Sequence, residues 1–101
     1  MAGTSPLVCR EFVEGKGYVE SRADLMRETG LTIEEIDDRV EALEWALSRG
    51  DNDEEGFVRP LASGKTWVAV IPRGIPPLRL FLRPCDSVEY KCEWLWIEER
   101  L

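Results

Sequence analysis

The chain has 101 residues, 44% apolar and 33% charged, with a net charge of −7 and no histidine. That length predicts a single domain over residues 1–101 with one core, burying somewhat over ~60% of the surface the unfolded chain would expose. The composition excludes a disordered chain, no apolar run approaches the ~20 residues that cross a bilayer, and "MAGTSPLVCREF" lacks the basic start and apolar centre of a signal peptide; a cytosolic protein with no membrane partner is expected.

Without histidine, Ser/His and Cys/His nucleophilic catalysis are excluded, so any catalysis must rest on Arg, Lys, Tyr or carboxylates. Cys9, Cys85 and Cys92 form no CxxC pair and leave one thiol over in any disulfide scheme. They are expected to be reduced thiols in or near the core, with no metal site and no cofactor. Residues 1–56 carry Lys and Arg six times and Asp and Glu 15 times, a net of −9, whereas residues 57–101 carry them seven and five times, a net of +2. Phosphate repulsion therefore assigns any nucleic-acid contact to the second half.

In chain order, "LVCREFV" (7–13) reads as a strand with a glycine-containing exit. "SRADLMRETG" (21–30) reads as a short helix with Ser21 as N-cap, Asp24 three residues on, and Gly30 closing its end. A second helix is predicted over 33–49, opened by a capping box of Thr32 and Glu35 and carrying an apolar stripe of Ile33, Ile36, Val40, Leu43 and Leu47. Its opposite face bears Glu34, Asp37, Asp38, Glu41 and Glu44, and "SRGDNDEEG" separates the two halves of the chain.

Three strands follow, "TWVAVI" (66–71), "LRLFLR" (78–83) and "EYKCEWLWIEE" (89–99). The prolines of "PRGIPP" keep that segment outside the sheet, and the short "PCDS" turn makes the last two strands antiparallel neighbours. The predicted fold is α+β: strand, helix, helix, then a three-stranded antiparallel meander with the helices on one face.

A period of two sends Leu78, Leu80 and Leu82 beneath the helices and leaves Arg79, Phe81 and Arg83 on the outer face. There the arginines either fork onto phosphate or carboxylate oxygens beside a stacking ring, or pair with glutamates such as Glu89 or Glu93 across the strands. The last strand alternates Tyr90, Cys92, Trp94 and Trp96 against Lys91, Glu93, Leu95 and Ile97, which suits a central strand or one covered by a partner: a buried tryptophan pair is core, and an exposed pair marks an interface. "SGKT" (63–66) lacks the P-loop glycine, Arg59 standing in its place, and precedes a strand, so it supports only a turn presenting Lys65. "LMRETGLTIEEIDDRVEAL" (25–43) has helix-turn-helix spacing with "FVRPLASGKTWVAV" as a wing, but it would offer Glu34, Glu35, Asp37 and Asp38 to a DNA groove.

The segments "LTIEEIDDRVEALEWALSRG", "FVRPLASGKTW", "PPLRLFLRP" and "VEYKCEWLWIEE", over roughly residues 30 to 99, resemble the RelE/ParE toxin superfamily of bacterial toxin–antitoxin systems. The resemblance implies a ribosome-dependent mRNA endonuclease or a gyrase inhibitor, neutralised by an antitoxin protein. In the nuclease branch it implies metal-independent cleavage, with Arg79 binding the scissile phosphate, Arg83 two places along the same face, Lys65 as the basic residue of the loop before the second strand, and Arg100 near the C-terminal catalytic region. Tyr90 is the candidate general base near the end of the chain. Two other readings follow from the residues themselves: a non-catalytic interaction module whose acidic helices dock a basic partner, and a winged-helix DNA-binding regulator.

Overall fold

A short strand, β1 (Glu11–Glu14), leads into two helices, α1 (Lys16–Thr29) and α2 (Ile33–Arg49), and four strands complete the chain: β2 (Val58–Pro60), β3 (Trp67–Ile71), β4 (Leu78–Asp86) and β5 (Lys91–Glu99). The computed structural model describes residues 7–50, 58–62, 64–86 and 88–100; most of the acidic junction after α2 and residues 1–6 lie outside this set. The strands form one sheet in the order β1-β5-β4-β3-β2. β3, β4 and β5 form the expected antiparallel meander, and β1 joins the free side of β5 in parallel.

β2 is a strand the sequence reading left unassigned. Its three residues pair with β3 as Val58↔Ala69, Arg59↔Val68 and Pro60↔Trp67. Pro60 has no N–H to donate, and β2 is an edge strand, where that loss is tolerated. The segment proposed as a wing is thus a hairpin built into the sheet edge opposite β1.

α2 forms as its pattern dictates. The Glu35 N–H donates to Thr32 Oγ1 at 3.2 Å and the Thr32 N–H to Glu35 Oε1 at 3.1 Å, so the capping box is complete. Ile36, Val40 and Leu47 are buried, while Glu34, Asp37, Asp38 and Glu41 face water. Of the rest of the expected stripe, Leu43 is partly buried against the core and Ile33, in the first turn, is exposed.

α1 departs from expectation. It begins at Lys16, with Gly15 as N-cap and no side-chain cap, so Ser21 lies inside the helix. Its hydroxyl donates to the Tyr18 carbonyl at 3.1 Å and accepts the Ile97 N–H at 3.0 Å. β1 pairs with β5 only as far as Trp94, and α1 covers the β5 edge beyond it, where Ser21 supplies an acceptor that no strand provides. The close approach explains the glycines: a Cβ on Gly17 would stand 2.7 Å from the Leu95 carbonyl oxygen. Gly30 closes α1 at φ 77°, as predicted.

The core joins Leu78, Leu80, Leu82, Trp94 and Ile97 of the sheet to Tyr18 and Leu25 of α1 and to Ile36, Val40 and Leu47 of α2. Trp94 is 1% exposed, stacks on Phe12 at 5.6 Å between ring centroids, and donates its indole N–H to Glu44 Oε2 at 2.8 Å. Burial pushes the Tyr18 phenol up to about 12.

Cys9 and Cys92 are joined in a buried disulfide across 83 positions of sequence, which corrects the expectation of three reduced thiols; Cys85 is free and exposed. Parallel pairing of β1 with β5 brings the first and last strands together, and cysteine spacing carries no trace of that topology. Among the described residues no helix is long and apolar enough to cross a membrane.

Candidate functional site

The helices pack against the leucine face of the sheet, and among the described residues no helix covers the other face. Cross-strand register places Arg59, Val68, Phe81 and Trp96 in one row across β2 to β5, and Val70, Arg79 and Glu98 in the next. Val68 is only 5% exposed between Arg59 and Phe81, so this row has an apolar floor, while Trp96 at its end is 41% exposed.

Trp96 reaches the open face because β5 does not alternate regularly. Phe81 opposes Trp96 but Leu82 opposes Trp94, leaving Leu95 as a bulged residue. Before the bulge Cys92 and Trp94 point to the core; after it Ile97 does, and Trp96 and Glu98 turn outward. The regular alternation read from the sequence paired the two tryptophans on one face, and the bulge separates them.

Each arginine has a carboxylate partner. Arg79 donates through Nε to Glu98 Oε2 at 3.0 Å and through Nη2 to the same oxygen, and its guanidinium lies 5.8 Å from the Phe81 ring centroid. The other oxygen of Glu98 accepts the Trp96 indole N–H at 3.0 Å, so one carboxylate organises Arg79 and Trp96 together. Arg83 donates to Glu93 Oε1 at 2.8 Å. Glu93 is one of the partners that the sequence suggests for these arginines, whereas Glu98 is found only in the structure. Both ion pairs are partly exposed, and ion pairs open to solvent stabilise by about 0–1 kcal/mol.

The predicted site residues separate into two groups. Arg100 follows β5, its N–H bonded to the Pro77 carbonyl at 2.8 Å, at the end of the sheet where Arg79 stands. Lys65 sits in the β2–β3 turn, at the end where Arg83 and the start of β5 lie. Arg79 and Arg83 are four positions apart on one strand, or roughly 13 Å. Tyr90, at φ 54°, precedes β5 with Arg10 over its ring at 4.9 Å. It lies eight positions from Glu98, more than roughly 20 Å along the strand from Arg79's partner.

A second surface lies between β1 and α2, a groove of about 630 Å³ lined by residues including Arg10, Phe12, Asp38, Glu41, Glu44 and Trp45. Burial holds the Glu44 carboxyl above its usual range against the Trp94 hydrogen bond, with the charges of Glu14, Glu41 and Asp37 acting in the same direction as burial. Sequence reading passed over this groove, although Trp45 on the polar side of the α2 pattern was a visible signal.

No protein-family model matches the chain, and no curated protein sequence matches it significantly. A solved structure similar to it is the RelBE2 toxin–antitoxin complex from Mycobacterium tuberculosis, at 18% identity with a TM-score of 0.49, covering 92% of this chain and 100% of that one.

Proposed function

We propose that the chain, as one domain over 1–101, is the toxin-like component of a toxin–antitoxin pair and works in the cytoplasm through the open face of its sheet. The observation that carries this reading is that Arg79, Phe81, Arg83 and Trp96 share the face that the helices leave uncovered. The resemblance read from the strand motifs names the same strand. An incoming carboxylate or phosphate replaces Glu98 and Glu93 on the guanidiniums, while Phe81 and Trp96 supply apolar contact. The antitoxin is the partner that covers this face when the protein is held inactive.

Of the two targets, a protein such as gyrase fits better than cleaved mRNA. Cleavage by a 2′-hydroxyl requires phosphate binding and proton transfer at one point, and Tyr90 precedes β5, at the opposite end of that strand from Glu98, the partner of Arg79. Arg79, Arg83, Lys65 and Arg100, spread over both ends of the sheet, suit a broad contact with a partner rather than a single scissile phosphate.

Induced expression in a bacterial host tests the reading. Growth arrest is expected, relieved by Arg79→Ala with Arg83→Ala, and cellular mRNA should stay intact during arrest. Fragmented mRNA would replace the protein target with ribonuclease action, and unaffected growth with folded protein present would overturn the toxin reading.

A further inference from the structure

The groove between β1 and α2 belongs to neither the open face nor the core. Two features make it a surface that another chain can complete. Among the described residues β1 is the edge strand of the sheet and pairs with β5 alone, so within that set its second edge presents backbone groups without a strand partner. Beside that edge, Trp45 is 61% exposed and lines the groove together with Phe12 of β1.

The charge around the groove selects the partner. Asp38, Glu41 and Glu44 line it against the guanidiniums of Arg10, which lies over the Tyr90 ring, and Arg49, which lies over the Trp45 ring. Glu34 lies one helical turn before Asp38 and is exposed, whereas Asp37 is paired with Arg22 of α1 at 3.3 Å. Arg49 lies 3.4 Å over the Trp45 ring centroid, so the ring already accepts a cation on one of its faces. A second copy of this chain, itself at −7, would bring carboxylates against carboxylates.

We infer that this groove binds an extended, basic segment of another protein, which adds a strand to the free edge of β1 and lays its Arg or Lys side chains across Trp45 onto Asp38, Glu41 and Glu44. The backbone supplies strand pairing, the aliphatic stems cover Trp45 and Phe12, and the cationic heads neutralise the carboxylates. This surface uses none of the residues of the open face, so it stands or falls independently of the proposed toxin function.

The probe is a labelled peptide of about nine residues alternating arginine with threonine, with a glutamate–threonine peptide of equal length as control. Fluorescence anisotropy should show binding of the arginine peptide that weakens as salt rises, and none of the glutamate peptide. Hydrogen exchange should show the amides of β1 gaining protection in the complex. Trp45→Ala, and separately Asp38→Asn with Glu41→Gln, should each weaken binding about tenfold or more. Glu20→Gln with Glu28→Gln, the same charge change on exposed positions of α1, should weaken it less than about twofold, and Arg79→Ala with Arg83→Ala should leave it unchanged.

Circular dichroism confirms that each variant is folded; all these positions are exposed or half-buried. Failure of the arginine peptide to bind, equal losses in the α1 control, or unaltered exchange in β1 would overturn the inference. Concentration-dependent dimerisation abolished by Trp45→Ala would overturn it in favour of a second copy of this chain.

Discussion

Replacing Ser21 by alanine tests how the sheet is closed along β5. Ser21 is 2% exposed, and its oxygen is the acceptor given to the Ile97 N–H, at 3.0 Å, on the stretch of β5 that β1 does not reach. Alanine fits the space but leaves that donor buried without a partner, at a cost of about 1–3 kcal/mol. For a domain of this length the midpoint gives a drop of roughly 8–16 °C in Tm. Ser48 provides the control, because its hydroxyl also bonds the carbonyl three residues back, that of Trp45, at 2.7 Å, but accepts from no strand. Ser48→Ala should therefore change stability by no more than about 0.5 kcal/mol. Urea unfolding measures both, and native-state hydrogen exchange should show the Ile97 amide losing protection in Ser21→Ala. Equal costs for the two serines, with Ile97 exchange unchanged, would refute the reasoning that Ser21 completes the β5 edge.

Three further outcomes follow from the packing. Gly17→Ala should destabilise by more than about 1 kcal/mol in urea unfolding, although alanine is the better helix former, because its methyl group would meet the Leu95 carbonyl oxygen; a stabilised variant would contradict the packing of α1 on the bulge. Reducing the Cys9–Cys92 bond, which closes a loop spanning 83 positions, should lower stability by about 4.5 kcal/mol, read as the shift in urea midpoint with and without reductant; Cys85→Ser should leave that shift unchanged. For Glu44 the native carboxyl holds its proton to higher pH than the unfolded one, so the native state loses relative stability as pH rises from the usual value of 4.5 through the raised native value. Glu44→Gln, which retains an acceptor for the Trp94 indole, should gain in Tm relative to the parent across that window and hold the gain at neutral pH; a constant difference from about pH 4 to about pH 7 would contradict it.

The α+β class, the limits of α2 and the leucine face of β4 were legible because each rests on a local period or a capping pair. Thr32 and Glu35 lie three apart, and Leu78, Leu80 and Leu82 alternate without interruption. What was not legible depends on irregularity or distance. Gly15 and Gly17 read as a turn, yet one caps α1 and the other permits its contact with β5. The disulfide depends on the parallel pairing of the first and last strands, which no local pattern encodes. The carboxylates of the open face held a clue: Arg79 and Arg83 are four apart, whereas their partners Glu98 and Glu93 are five apart. In a regular strand five positions place two side chains on opposite faces, so serving both arginines requires an extra residue, and Leu95 is that residue.

The central claim is that the bare face of the sheet is the working surface. It is tested most directly by growth of induced bacterial cultures at matched levels of folded protein, comparing the parent, Arg79→Ala with Arg83→Ala, and Arg27→Ala with Arg49→Ala as a pair of helix arginines off that face. Arrest by the parent and by the helix pair, with normal growth for the sheet pair, is the predicted result. Arrest that persists in the sheet pair, or that is relieved equally by both pairs, would contradict it.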